Sequence, residues 1–236
     1  MINEEDPLMS VAPADGITEE DCGTWTQVGA RSATVSTTRL QVPGKARGIY
    51  QKACNEFKKK KFADAVHDAQ KAVEEHRDFP AAWVLLGQVY YSSDDLDHAH
   101  QACSRAMDID ADYVASYLCL AAIADRQKDW DLLDGLSDQA IQIDPLRNAY
   151  GHYYKAEAAF HQGDMAVAEK NALVAAGDDV THQMPEIELL LARIYSAANK
   201  VELATARVRN FLKFAHEPAD QAAVNARLAA ISAQAQ

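Results

Sequence analysis

The sequence has little glycine and proline for its length, and it contains no long apolar run. Ten glycines and seven prolines in 236 residues argue against a loop-rich fold. No stretch approaches the roughly eighteen apolar residues that a membrane span requires. The N-terminal stretch is acidic and lacks the basic start and apolar core of a signal peptide. As written, the chain is expected to be cytoplasmic, or periplasmic or secreted if it is a fragment that lacks its signal.

Basic charge and catalytic motifs are also scarce. The 23 lysines and arginines against 35 acidic residues give a net charge of −12, which disfavours nucleic acid as a partner. No GxSxG, GxGxxG or HExxH motif is present. The acidic stretch 108–112 opens like a calcium loop, but Tyr113 and Cys119 stand where glycine and glutamate are needed. We therefore expect no enzyme, no cofactor and no metal site.

The four cysteines do not form a metal or redox motif. Cys22, Cys54, Cys103 and Cys119 are far apart in the sequence, and no two of them form a CxxC pair. Two of them fall at small-residue positions of predicted helices. This pattern predicts that most of them are reduced cysteines in the core.

The first 45 residues differ in composition from the rest. Residues 1–21 contain seven acidic residues and no lysine or arginine, which is typical of a disordered tail. Residues 22–43 are rich in Thr, Val and Ser, and they form either a short strand or hairpin or an extended segment that ends at Pro43. We therefore treat residues 1–45 as a disordered acidic tail followed by an extended linker.

From Ala46 onward the pattern is helical, and it repeats every 34 residues. Counting from Pro80, large residues occupy the fourth, seventh and eleventh places, and small residues the eighth, twentieth and twenty-seventh: Trp83, Leu86, Tyr90, Gly87, Ala99 and Ala106. The predicted repeats are 46–79, 80–113, 114–147, 149–182 and 185–218. Residues 219–234 carry one apolar stripe and predict a capping helix, so the predicted solenoid spans 46–236.

This pattern resembles the tetratricopeptide-repeat family. The resemblance implies an all-α, right-handed α-solenoid of about five helix-turn-helix repeats, each with an A helix and a B helix. Small residues at the eighth and twentieth places let the two helices approach closely. Four residues depart from the pattern: Leu133, Phe211, Lys52 and Lys155. The first two replace alanine and the lysines replace leucine, so the local geometry around these positions needs testing.

The join before the first repeat has a second resemblance. Residues 40–47, which read LQVPGKAR, look like the start of repeat arrays in secreted acidobacterial proteins. In those proteins the array follows an extracellular β-domain. The resemblance implies that residues 22–43 are the remnant of such a junction.

The family resemblance also indicates where a partner binds. In tetratricopeptide arrays the concave face is lined by A-helix residues at the fifth, ninth and twelfth places. From these places we take the following candidate partner-binding residues: Tyr50, Phe57, Val84, Gln88, Tyr91, Leu118, Tyr153, Glu157, Phe160 and Arg193. Tyr50 and Cys54 break the pattern of the subfamily that holds acidic chaperone tails.

The leading functional hypothesis is a scaffold that binds a protein or peptide segment in the concave groove. The alternative is a structural protein that self-assembles through its N-terminal segment and the ends of the solenoid. The partner is expected to be a protein, with no nucleic acid and no membrane span. The chain itself is expected to be a monomer or a weak homo-oligomer.

Overall fold

The computed structural model describes residues 41–146, 148–180 and 182–214. Within these ranges it contains ten α-helices and no strand, which confirms the all-α expectation: α1 Gly44–Lys58, α2 Phe62–Glu75, α3 Pro80–Ser92, α4 Leu96–Ile109, α5 Val114–Gln127, α6 Trp130–Ile143, α7 Ala149–Gln162, α8 Met165–Asp178, α9 Glu186–Ala197 and α10 Val201–Phe214. The acidic tail, most of the linker (22–40) and the predicted cap (219–234) lie outside the described residues.

Consecutive helices pack in pairs, and the pairs stack into an α-solenoid. The odd-numbered A helices each pack on the B helix that follows, and α3, α5, α7 and α9 also contact one another in succession. No helix in the described ranges combines the length and the apolarity that would let it cross a bilayer. The A helices therefore form one continuous layer, and the B helices lie beside it.

Small residues are buried wherever the two helices of a repeat touch. The residues at the eighth place are Ala53, Gly87, Ala121, Ala156 and Ala192, and all are buried. Two larger residues stand where small ones are expected: Leu133 is fully buried and Phe211 is 5% exposed. The helices that contain them, α6 and α10, still pack on α5 and α9. The departures from the repeat pattern therefore do not disrupt the helix pairs.

The turn between the A and B helices has the same backbone conformation in every repeat. The residue at the fifteenth place is left-handed in all five: Lys60 (φ 59°), Asp94 (φ 61°), Lys128 (φ 61°), Gly163 (φ 85°) and Asn199 (φ 55°). A left-handed residue ends a helix by redirecting the chain, and glycine adopts this conformation without strain. Only one of the five is glycine, so the sequence signals this turn weakly.

Side chains of the turns cap the helices that follow. The carboxylates of Asp95, Asp129 and Asp164 accept hydrogen bonds from backbone N–H groups in the first turns of α4, α6 and α8. The Asn148 side chain does the same for α7. Each such cap satisfies a donor that the helix itself leaves unpaired, and it is worth about 1 kcal/mol.

The two lysines that replace leucine are paired with acids on neighbouring B helices. Lys155 Nζ lies 2.8 Å from a carboxylate oxygen of both Asp134 and Asp138 on α6. Lys52 Nζ lies 3.0 Å from the carboxylate of Asp68, which is buried. Each charged head group therefore has a counter-ion at the helix contact, which explains why the packing persists there.

The prediction of reduced cysteines is wrong for all three cysteines that the structure describes, Cys54, Cys103 and Cys119, because none of them is free. Cys103 of α4 and Cys119 of α5 form a disulfide, with their Cα atoms 6.0 Å apart. The repeat period brings the twenty-fourth place of one repeat next to the sixth place of the following repeat, so residues sixteen apart in sequence meet. Both cysteines are fully buried, as expected of core residues. Spacing motifs fail here because the contact depends on stacking between repeats.

Candidate functional site

The A helices place their fifth, ninth and twelfth positions on one side of the array, which we call the A-helix face. At the fifth place, Tyr50, Val84 and Leu118 are at most 1% exposed and belong to the core. Tyr153 and Leu189 are partly exposed at the same place in the last two repeats. The first three repeats therefore use this place for packing.

The ninth place is also mostly buried. Gln88 and Glu157 are 5% and 6% exposed, and Cys54 and Ala122 are less exposed still. Arg193 in α9 is the one partly exposed residue at this place. The predicted binding residues at the fifth and ninth places therefore lie together, but most are beneath the surface.

The accessible side chains of the A-helix face form one row. All five residues at the twelfth place are partly exposed, and we call them the twelfth-place row: Phe57, Tyr91, Asp125, Phe160 and Ser196. Three of them are aromatic. All three were among the candidate residues predicted from the sequence, where the twelfth place could not be distinguished from the buried fifth and ninth places. Asp125 lies at the same place in the third repeat, but it was not among the candidate partner-binding residues.

Two aromatic rings of this row carry a guanidinium group from the following repeat. Arg126 Cζ lies 4.1 Å from the centre of the Tyr91 ring, and Arg193 Cζ lies 4.5 Å from the centre of the Phe160 ring. Arg126 also donates hydrogen bonds to Tyr91 Oη (3.2 Å) and to Asp94 Oδ1 (2.9 Å). Such cation–π contacts are worth about 0.5–1 kcal/mol at exposed sites.

Arg193 connects this row to a buried carboxylate. Its Nη1 donates to Glu157 Oε1 at 2.8 Å, and Tyr153 Oη donates to the same oxygen at 3.3 Å. Burial raises the pKa of Glu157, and the positive charge of Arg193 opposes that rise. The pair therefore holds α7 and α9 together across the A-helix face.

His161 completes the network as a neutral ring. It stacks on Trp130 with the ring centres 3.8 Å apart and an interplanar angle of 3°. Arg193 Nη2 donates to His161 Nε2 at 3.0 Å, which requires that nitrogen to carry a lone pair. Burial and then the Arg193 charge lower the pKa of His161, which agrees with a neutral acceptor.

Asp125 is the one acidic residue of the twelfth-place row, and its carboxylate has no counter-ion of its own among the described residues. Burial, followed by the nearby Glu157 charge, raises the pKa of Asp125 to about 6. Within the described part of the chain its carboxylate makes no hydrogen bond or ion pair. Arg126 and Arg193, the nearest guanidinium groups, bind Asp94 and Glu157.

The rest of the described surface offers no metal site. No group of three histidine, cysteine, aspartate or glutamate side chains within those ranges is arranged to hold an ion. A cavity of about 490 Å³ lies over α3, between α2 and α4, and includes Trp83, Tyr90 and His98 in its lining. It lies on the B-helix side, away from the twelfth-place row.

One protein-family model matches part of the chain. The family described as "Tetratricopeptide repeat" matches residues 56–131, which span most of the first two repeats and the start of the third. No curated protein sequence matches the chain significantly.

Known structures show the same fold over most of the chain. A thermophilic TPR protein of Thermus thermophilus is 18% identical, with a TM-score of 0.63, and the match covers 79% of this chain and 98% of that one. Pseudomonas aeruginosa PilF is 14% identical, with a TM-score of 0.67 and coverage of 79% and 83%. PilW, a type IV pilus biogenesis factor, is 17% identical, with a TM-score of 0.71 and coverage of 82% and 89%. At such identities the likeness concerns the fold alone.

Proposed function

We propose that this tetratricopeptide-repeat chain binds a segment of another protein along its A-helix face, as a scaffold and not as an enzyme. The observation that carries the proposal is the twelfth-place row, in which Phe57, Tyr91 and Phe160 are partly exposed on the A helices α1, α3 and α7. Proteins of this repeat family generally mediate protein–protein interactions. The row places aromatic side chains at intervals that an extended segment can follow.

The chemistry of the row matches that of protein interfaces. Aromatic residues and arginine are enriched at the centres of interfaces, and they account for much of the binding energy. The row combines three partly exposed rings with Arg126 and Arg193, which lie over two of them. The buried Glu157 pair fixes Arg193 in place, so part of the surface is ordered before a partner arrives.

Photo-crosslinking tests the proposal directly. A benzophenone amino acid replaces Phe57 or Tyr91 on the A-helix face, and Gln101 or Leu173 on the B helices as matched controls. Each protein is irradiated in an extract of the native organism, and crosslinked proteins are identified by mass spectrometry. We expect one partner to crosslink at both A-helix positions and at neither control. Crosslinks that form only at the controls would move the binding surface to the B helices.

Self-assembly is the second candidate, and exposed apolar side chains favour it. Leu146 and Val180, in the loops after α6 and α8, are 70% and 72% exposed. Isolated apolar residues are common on surfaces, but two in equivalent loops offer a contact for another copy. Light scattering coupled to chromatography should report a mass above 25.9 kDa if the chain associates. In that case the double variant Leu146→Asp/Val180→Asp should return the mass to that of one chain.

A further inference from the structure

We propose that the partner segment is basic, and that an arginine or lysine side chain of the partner binds at Asp125 within the twelfth-place row. The inference rests on the proposed function, since it names the partner chemistry for the same surface. Two independent features support it: the guanidinium groups that already lie on this row, and the uncompensated carboxylate between them.

The row already binds guanidinium groups from within the chain. Tyr91 carries Arg126 and Phe160 carries Arg193, each arginine coming from the next repeat. Each guanidinium combines an aromatic face with an acidic group, Asp94 in one case and Glu157 in the other. At two places on this surface, a guanidinium group is therefore already bound by an aromatic ring and a carboxylate.

Asp125 is the acidic half of a third such site. It lies on α5 at the same place in its repeat as Tyr91 and Phe160, between α3 and α7. Burial and then the charge of Glu157 on α7 raise the pKa of Asp125, whereas His161 on α7, Arg193 on α9 and Arg126 on α5 lower it. Both arginines are paired with other carboxylates and His161 is neutral. A cation from a partner would therefore supply the positive charge that the Asp125 carboxylate lacks.

Phe57 is the aromatic half of a fourth site. Its ring is partly exposed and contacts Phe62 (centres 6.0 Å apart), and no cationic group lies over it among the residues that the structure describes. Helices in contact lie about 8–10 Å apart, so α1 and α5 are separated by roughly 16–20 Å. An extended segment spans that distance in about six residues. A partner with two basic residues at about that spacing would reach both Phe57 and Asp125.

The charge of the whole chain acts in the same direction. A net charge of −12 raises the rate of encounter with positively charged partners and lowers it with acidic ones. Asp125 is also partly buried, so an ion pair there is less screened by salt than a pair on the open surface.

Nuclear magnetic resonance with defined peptides tests this inference on the full chain. The probe is a Gly/Ser/Ala peptide with two arginines about six residues apart, and a second peptide has glutamate in place of each arginine. We expect the arginine peptide to shift amide signals of α1, α5 and α7, and the glutamate peptide to shift none of them. Asp125→Asn should weaken binding about five- to tenfold, which corresponds to the loss of one charge-assisted contact.

Two variants separate charge at this site from general effects. Asp97→Asn removes the same charge from an exposed position on α4 and should change the affinity less than twofold. Asp125→Glu keeps the carboxylate and should bind better than Asp125→Asn. Equal binding of the glutamate peptide would overturn the basic-partner inference while leaving the A-helix face as the binding surface. Equal losses in Asp97→Asn and Asp125→Asn, or shifts confined to α2 and α4, would also overturn it.

Discussion

Gly87 lies where the second repeat is packed most tightly, and replacing it tests the packing directly. A Cβ atom at this position would overlap Cys103 Sγ, and it would lie 3.1 Å from Cys119 Sγ and 3.2 Å from the Ala99 carbonyl oxygen. These atoms belong to α4 and α5, so the added methyl would have to separate α3 from both helices. Gly87→Ala should therefore strain the contact between the second and third repeats.

The magnitude follows from two opposing effects. Overpacking a tightly packed core costs about 1–3 kcal/mol, whereas alanine in place of glycine inside a helix gains about 1 kcal/mol. Gly135 in α6 provides the matched control, since no atom lies within 4 Å of a Cβ at that position. Gly135→Ala should show the helix gain alone. We expect Gly87→Ala to be about 1–3 kcal/mol less stable than Gly135→Ala.

Urea unfolding followed by circular dichroism at 222 nm measures this difference. The comparison cancels the intrinsic preference for alanine, because both glycines lie inside helices of similar length. Equal stability of the two variants would show that Gly87 is not at a close helix contact. The assigned repeat register and the Cys103 contact would then both be incorrect.

Three further predictions follow from the turns, the charges and the cysteines. Lys128→Gly should stabilise the fold by up to about 1 kcal/mol, because lysine is strained at its left-handed φ. Asn199→Gly should stabilise the fold less, because asparagine tolerates that conformation. Equal changes in the unfolding midpoints of the two variants would contradict the argument. The folded-state pKa of Asp125 lies above its ordinary value. The contribution of this carboxyl group to the free energy of unfolding is therefore complete below pH 4 and is lost as the pH rises through about 6. Allowing for partial exposure, Asp125→Asn should then be about 1–2 kcal/mol more stable than the parent at pH 7 and indistinguishable from it near pH 4, as measured by urea unfolding at both pH values. Peptide mapping without reductant should recover Cys103 linked to Cys119. Reduction of this bond, which joins residues sixteen apart in sequence, should lower the free energy of unfolding by up to about 3 kcal/mol. Alkylation of both thiols in the unreduced protein would contradict the bond.

The helices and their pairing could be predicted from sequence because the period is explicit. The small residues at the eighth, twentieth and twenty-seventh places recur every 34 residues, and each reports a local contact between two helices. Leu133 and the two lysines were harder to interpret. Lys155 is accommodated by Asp134 and Asp138 on a different repeat, and such a pairing has no signal in the spacing of any one repeat.

The candidate site could be predicted only in part. Family resemblance placed the candidate residues on the A helices but did not separate exposed from buried positions, since Tyr50 at the fifth place and Tyr91 at the twelfth place are residues of the same type. Tyr50 is 1% exposed and lies 5.1 Å from the Phe79 ring, whereas Tyr91 is partly exposed beneath Arg126. The family pattern also places Asp125 on this face, but its raised pKa could not be predicted, because it arises from burial and from Glu157 on the next repeat.

The central claim is that the twelfth-place row binds the partner. The most direct test is titration calorimetry of the partner identified by crosslinking against Phe57→Ala, Tyr91→Ala and the control Leu173→Ala, with thermal unfolding measured on the same samples. We expect each A-helix variant to weaken binding about tenfold or more while the melting temperature changes little, and the control to bind like the parent. Unchanged affinity in a folded Phe57→Ala/Tyr91→Ala double variant would contradict the claim.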